Sequence, residues 1–209
     1  MSLTLAVGRP TLLDHVFARR LSTDVVLVVS GAAVVSLAAQ FTVPLPFVPI
    51  TGQTLAVLLV GSALGASRGA LSLLVYASLG LAGLPVFAPS DDGSHLVGVA
   101  AFTHSSGGYI VGFIAAAAVT GWLAQRAWDH RWLGALATFG LGTVVTFLFG
   151  AVWLAIWLGQ NGYPNDLVAV LSLGVFPFVV GGAIKALLAA VIVRGAWSAV
   201  RRADERSAL

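Results

Sequence analysis

The chain has 209 residues, of which 58% are hydrophobic and only 9% charged, and its mean hydropathy is +0.97. Soluble domains carry roughly 25% charged residues, so a soluble globular fold is excluded, as is disorder, which needs low hydrophobicity and high charge. With 0 cysteines there is no disulfide framework, thiolate metal site or cysteine nucleophile.

Residues 1–20 read as a cytoplasmic tail carrying Arg9, Arg19 and Arg20. No Asp, Glu, Lys or Arg then occurs between Asp24 and Arg68. A helix needs about 20 apolar residues to cross about 30 Å of hydrocarbon, so this stretch holds two spans. Val43-Pro-Leu-Pro-Phe-Val-Pro49 separates them, because its prolines cannot sit inside one regular helix. The start mimics a signal peptide, with Arg19-Arg20, an apolar run and Ser36-Leu37-Ala38. Five further spans follow, which favours a retained first helix. That helix carries a small-residue stripe, Gly31, Ala32, Ser36 and Ala39, suited to close packing inside the fold or with another subunit.

The second span, near Gln53–Ala66, is short and tilted or partly re-entrant. Thr51-Gly52-Gln53-Thr54 opens it. Thr51 fits a helix N-cap as well as a ligand contact, whereas a buried Gln53 amide needs partners for both donor and acceptor. The third span, Gly69–Phe87, holds Tyr76 at its middle, where its hydroxyl suits a bond to a neighbouring helix more than a ligand contact. The fourth, Gly107–Gln125, opens on Ser105-Ser106-Gly107-Gly108-Tyr109, where paired glycines would expose backbone N–H donors to an acceptor. The fifth is Trp132–Leu158 and the sixth runs from about Leu167 to Val193, leaving 198–209 as a second tail. One membrane domain, 21–197, fills the chain. The tryptophans, Trp122, Trp128, Trp132, Trp153, Trp157 and Trp197, mostly flank span ends and read as interfacial anchors.

All ten arginines fall on one side of this arrangement: Arg9, Arg19 and Arg20; Arg68; Arg126 and Arg131; Arg194, Arg201, Arg202 and Arg206. The opposite loops, about 41–52, 88–106 and 159–166, have none and carry Asp91, Asp92 and Asp166. The positive-inside rule places both termini in the cytoplasm, in agreement with an even number of spans. The pI near 10.0 is thus a topology signal and not one of nucleic-acid binding.

Lys185 is the single lysine. It lies nine residues before Arg194, about 13 Å along a helix, near the bilayer midplane. A charge there costs at least about 2.5–3.5 kcal/mol to insert, so it should face the interior and meet an anion or a polar ligand. Gly181 and Gly182, at i−4 and i−3 on the same face, would leave a hollow toward the outer side. The competing reading is a neutral lysine bonded to backbone carbonyls. No carboxylate lies within the spans as bounded above, which leaves the ligand itself as the partner. His95 and His104 with Asp91 and Asp92 fit no metal-site spacing. Neither the hydrolase nucleophile elbow, the metalloprotease helix signature nor a P-loop is present. The chain therefore cannot hydrolyse ATP through a P-loop, and a membrane enzyme would want convergent acid/base residues that the spans lack. An ion-coupled carrier would want an acidic or histidine relay in the spans.

The segment Val48-Pro-Ile-Thr-Gly-Gln-Thr-Leu-Ala-Val-Leu-Leu-Val-Gly61 strongly resembles the hallmark of the BioY family, the biotin-specific capture subunits of energy-coupling factor transporters. Arg68-Gly-Ala-Leu-Ser-Leu-Leu-Val-Tyr76 with Gly80-Leu-Ala-Gly-Leu-Pro-Val-Phe87, Gly107-Gly-Tyr-Ile-Val-Gly-Phe113 and Ile184-Lys-Ala-Leu-Leu-Ala-Ala190 agree with it. The resemblance, from about residue 25 to 194, implies an all-α membrane protein of six helices with the S-component-like fold and an outward-facing pocket for high-affinity biotin uptake. The alternative is a stand-alone or ion-coupled carrier for biotin or another small vitamin. No cofactor is implied; biotin is the transported ligand. Expected pocket residues are Lys185, Gln53, Thr51, Tyr76, Ser106, Gly107, Gly108, Tyr109 and Gly182, with aromatic walls from Phe47 and Phe87. Implied partners are a transmembrane coupling subunit of the EcfT or BioN type, docked on the first helix at Gly31, Ala32, Ser36 and Ala39, and two cytoplasmic ATPases of the EcfA or BioM type. The expected location is the prokaryotic plasma membrane. Two departures stand out: Gly182 occupies a position where the family usually has an aspartate, and Ser105-Ser106 replaces its usual Pro-Thr.

Overall fold

A computed structural model describes residues 4–5, 9–90 and 92–207; Asp91 lies outside the described residues. The main helices are α1 (Leu21–Ala39), α2 (Gln53–Leu64), α3 (Ala66–Leu81), the short α4 (Val99–Thr103), α5 (Gly107–Ala124), α6 (Trp132–Gln160), α7 (Leu167–Gly174) and α8 (Phe176–Ser207). A two-residue antiparallel hairpin, β1 (Thr42–Val43) and β2 (Ile50–Thr51), pairs Thr42 with Thr51 and Val43 with Ile50. Single 3-10 turns lie at Leu12–His15 and Trp128–His130.

Four of these helices, α1, α5, α6 and the Phe176–Ala203 part of α8, are long and apolar enough to cross a membrane. The 12-residue α2 and 16-residue α3 extend only about 18 and 24 Å and form a corner. Gly65 makes that corner with φ +84°, a left-handed conformation that glycine adopts without strain. Small residues on every side of α5 let its neighbours approach it closely, and it becomes the central helix: 67% of its apolar window is buried, against 33% for α1, α6 and α8. It packs most extensively on α6, then on α2 and α3. The outer faces stay apolar, with Leu133 83%, Val180 70% and Val26 62% exposed. Such a belt is a liability in water and the expected surface in lipid.

The expected sixth span is two helices. Pro177 lacks an N–H and its ring crowds the carbonyl four residues back, so the chain breaks at Val175, where ψ is −58° and φ −126°. Asp166 caps α7, accepting from the backbone N–H of Val168 and Ala169 at 3.0 and 3.2 Å.

The arginine-rich end is more structured than a pair of tails. Arg68 is 1% exposed and Asp24, in the first turn of α1, 0%. The Arg68 guanidinium donates to Asp24 at 3.2 Å, to Asp14 at 2.8 Å and to the Leu64 carbonyl at 2.9 Å. This draws the Leu12–His15 turn under the bundle, with Thr11 fully buried. Burial works to raise the Asp14 carboxyl, but hydrogen bonds from Arg19 and Thr11 and the Arg68 charge outweigh it and hold it at about 2. Trp197, expected as an interfacial anchor, is 4% exposed and donates to buried Asp129 at 3.2 Å.

Candidate functional site

At the opposite end a cavity of about 460 Å³ lies beneath the proline loop 44–49, bounded by the segment 87–96 and by α5, α6 and α8. The hairpin places that loop over the end of α1: the N–H of Gly52 donates to the Phe41 carbonyl at 2.8 Å, and a Cβ on Gly52 would strike the Ala38 carbonyl. Lys185, half-buried on α8, forms the cavity floor.

A chain of hydrogen bonds crosses four elements from this lysine. The Lys185 ammonium donates to the Thr51 carbonyl at 2.5 Å. The Thr51 hydroxyl donates to Gln53 Oε1 at 2.8 Å, and Gln53 Nε2 donates to the Tyr76 hydroxyl. An ammonium has three N–H donors and an amide two, so Lys185 keeps further donors for the cavity it lines. The floor presents cationic and neutral N–H groups, and the lining carboxylate, Asp92, belongs to the exposed loop at the mouth. There its hydrogen bonds from Ser94 hold its carboxyl below the usual range. Such a floor matches an anionic or acceptor-rich group.

The walls are apolar. Phe87 meets Tyr76 edge-on at 5.2 Å and Phe102 at 5.8 Å, and its ring lies against Gly80, where any side chain would overlap it. At the mouth, Phe47 contacts Trp157 at 6.2 Å and Tyr163 at 5.4 Å, and those two rings stack on each other. The Ser105 hydroxyl donates to the Phe47 carbonyl, and Trp153 Nε1 to the His104 carbonyl at 2.8 Å. Both bonds tie the start of α5 to its surroundings. Burial lowers the His104 imidazole below its ordinary range, favouring the neutral form.

Of the residues expected from sequence, Lys185, Gln53, Thr51, Ser106, Tyr109, Phe47, Phe87 and Gly182 line the cavity. Tyr76 is fully buried behind Gln53 and Phe87. Gly107 and Gly108 are packing residues: a Cβ on Gly107 would strike the Phe102 carbonyl, and one on Gly108 would strike Trp153. Tyr109 donates its hydroxyl to the Gly174 carbonyl at 2.7 Å, using the acceptor freed where α7 ends. Gly31, Ala32 and Ala39 are buried within the bundle. A Cβ on Gly31 would strike Ser72 of α3, and the half-buried Ser36 donates to the Ala32 carbonyl. His95 bonds the Phe87 carbonyl at 2.8 Å, and no group of three potential metal ligands occurs among the described residues.

Sequence reasoning missed His104, Thr146, Phe147 and Phe178, all in the lining. Phe178 was accessible, because it lies seven residues before Lys185 and hence on its face. Phe147 sits in a uniformly apolar span where no spacing singles it out.

The BioY family profile matches residues 11–202. A probable biotin transporter BioY of Pyrococcus horikoshii is 36% identical over 170 residues, covering 81% of this chain and 93% of that protein. The biotin transporter BioY of Thermotoga maritima is 36% identical over 161 residues, covering 77% and 87%. That of Rhizobium etli is 35% identical over 154 residues, covering 70% and 76%. A crystal structure of the S-component for biotin from an ECF-type ABC transporter superposes with a TM-score of 0.69 at 26% identity. It covers 83% of this chain and 89% of that one.

Proposed function

The chain belongs to the BioY family, and on that premise we propose that it captures biotin as the membrane subunit of an ATP-driven energy-coupling factor transporter. The observation that carries this reading is the cavity of about 460 Å³ with Lys185 at its floor and aromatic walls. Ligand pockets typically span about 300–1,000 Å³ and combine apolar walls with few polar groups. Biotin offers a fused apolar ring system, a polar ureido group and a carboxylate, and the lining of Phe47, Phe87, Gln53, Thr51 and Lys185 complements them. Tyr76 acts from behind, by holding the Gln53 amide.

The chain crosses the plasma membrane six times, α2 and α3 being the short spans and α7 with the start of α8 the broken one. Both termini lie in the cytoplasm with the arginines, and the cavity opens outward. The chain has no P-loop, so energy comes from two cytoplasmic ATPases of the EcfA or BioM type through a coupling subunit of the EcfT or BioN type. With Gly31, Ala32 and Ala39 buried, α1 offers that subunit its outer face, where Val29, Val34 and Leu37 are exposed. The loops 41–52 and 88–106 gate the cavity.

Equilibrium binding of labelled biotin to the purified chain tests capture: saturable retention is expected, and a chain that retains no biotin overturns it. Counterflow in vesicles with and without the ATPase complex separates an energised subunit from a stand-alone carrier.

A further inference from the structure

A second cavity, an open basin of about 810 Å³, lies at the arginine-rich end, far from the biotin cavity. Arg126, Trp128, His130, Arg131, Trp132 and Leu133 line it. The two arginines are exposed, and neither forms an ion pair among the described residues. Arg126 lies 3.5 Å above the Trp122 ring centre, and Arg194 adds a third guanidinium 5.5 Å from that of Trp132. The carboxylate in the same turn, Asp129, is fully buried: its Oδ2 accepts from Ser62 at 2.8 Å and Trp197 at 3.2 Å, and its Oδ1 lies 3.8 Å from His130 Nε2. The two basin arginines therefore have no carboxylate partner among the described residues.

The basin is also a fixed surface. Asp129 pins the turn from within, His130 packs its ring 4.0 Å from that of Trp197, and Arg194 donates to the His130 carbonyl. Ala127 holds a left-handed φ of 61°, a conformation that costs free energy in a non-glycine residue and persists only where its surroundings enforce it. Around the cations, Trp122 is 49%, Trp128 44%, Trp132 47% and Leu133 83% exposed. Indole rings of this kind sit at headgroup level, with their apolar bodies toward acyl chains. Guanidinium pairs bind phosphate through parallel N–H donors.

We propose that this basin binds the phosphate of an anionic phospholipid, with the lipid's glycerol and upper acyl chains against Trp132 and Leu133. The inference needs the bundle to lie in a membrane but does not depend on which vitamin it carries. A free phosphate ion shares the headgroup chemistry, but it leaves the exposed indoles and Leu133 without an occupant, which favours the lipid.

Native mass spectrometry of the detergent-purified chain, titrated with phosphatidylglycerol and separately with phosphatidylcholine, tests it. Retention of one phosphatidylglycerol at concentrations where phosphatidylcholine is lost is expected. The double variant Arg126→Gln, Arg131→Gln should weaken that retention roughly 30-fold, at about fivefold per arginine, with biotin binding unchanged. Arg202→Gln, on the C-terminal part of α8, should leave it intact. Equal retention of the two lipids by the unaltered chain would overturn the proposal without any variant. So would tighter retention of inorganic phosphate than of phosphatidylglycerol, which would assign the basin to the free ion, or undiminished retention by a double variant that still binds biotin.

Discussion

A charged group deep in an apolar bundle must be matched, and at Lys185 the protein supplies only part of the match. The Thr51 carbonyl takes one N–H. In the proposed function the remaining donors meet an acceptor that arrives with the ligand. Lys185→Met keeps the aliphatic stem and removes the cation. Loss of a desolvated charge partner typically costs about 2–5 kcal/mol, so biotin should bind roughly 30-fold more weakly or worse by calorimetry. An unchanged dissociation constant would remove Lys185 from the site. Tyr76 makes a different prediction. Its hydroxyl accepts from Gln53 Nε2, and in Tyr76→Phe that buried donor loses its partner at about 1–3 kcal/mol. A lower melting temperature in detergent, together with weaker biotin binding, is expected. The rarity of lysine made Lys185 legible in the sequence. For Tyr76 the sequence favours a bond to a neighbouring helix over a ligand contact, which is what it makes at Gln53 of α2; the identity of that partner was not legible, because spacing within one span does not say which helix lies beside it.

At the scale of elements, gaps between charges located the helices because lipid tolerates apolar surface and little else. The same logic misread the charges at their edges. Arg68 and Asp24 looked like loop residues, yet they form a buried network that fastens the Leu12–His15 turn to α1 and α3. Removing one partner strands another: Arg68→Met leaves Asp24 without its cation and Asp14 with Arg19 alone, a loss typically of about 3–5 kcal/mol. The variant should unfold at markedly lower temperature. The network also predicts acid sensitivity. Asp14, ordinarily near 3.8, is held at about 2 in the folded chain. Its stabilising contribution, about 2 kcal/mol, is therefore complete above pH 4 and is lost as pH falls toward 2. Asp14→Asn should flatten that part of the curve of melting temperature against pH. The α7–α8 break was legible at Pro177 but was masked by the unbroken apolar run around it.

For the whole molecule, the separation of functions follows from where polar groups can be placed. One end gathers the Lys185 cavity under a proline loop, and the other gathers the arginines around Arg68 and Asp129. Between them lies an apolar bundle centred on α5. This polarity predicts which end meets which compartment, and the absence of native cysteine makes the test clean. Asn161→Cys introduces a thiol in the exposed loop after α6, and Arg206→Cys introduces one near the end of α8. With the cavity facing outward, a membrane-impermeant maleimide should label the first in intact cells and the second only after permeabilisation. The reverse pattern would invert the protein, and labelling of both from outside would place α8's end beyond an odd number of crossings. Either result would separate the arginine-rich end from the cytoplasm, and with it from the ATPases proposed to energise uptake.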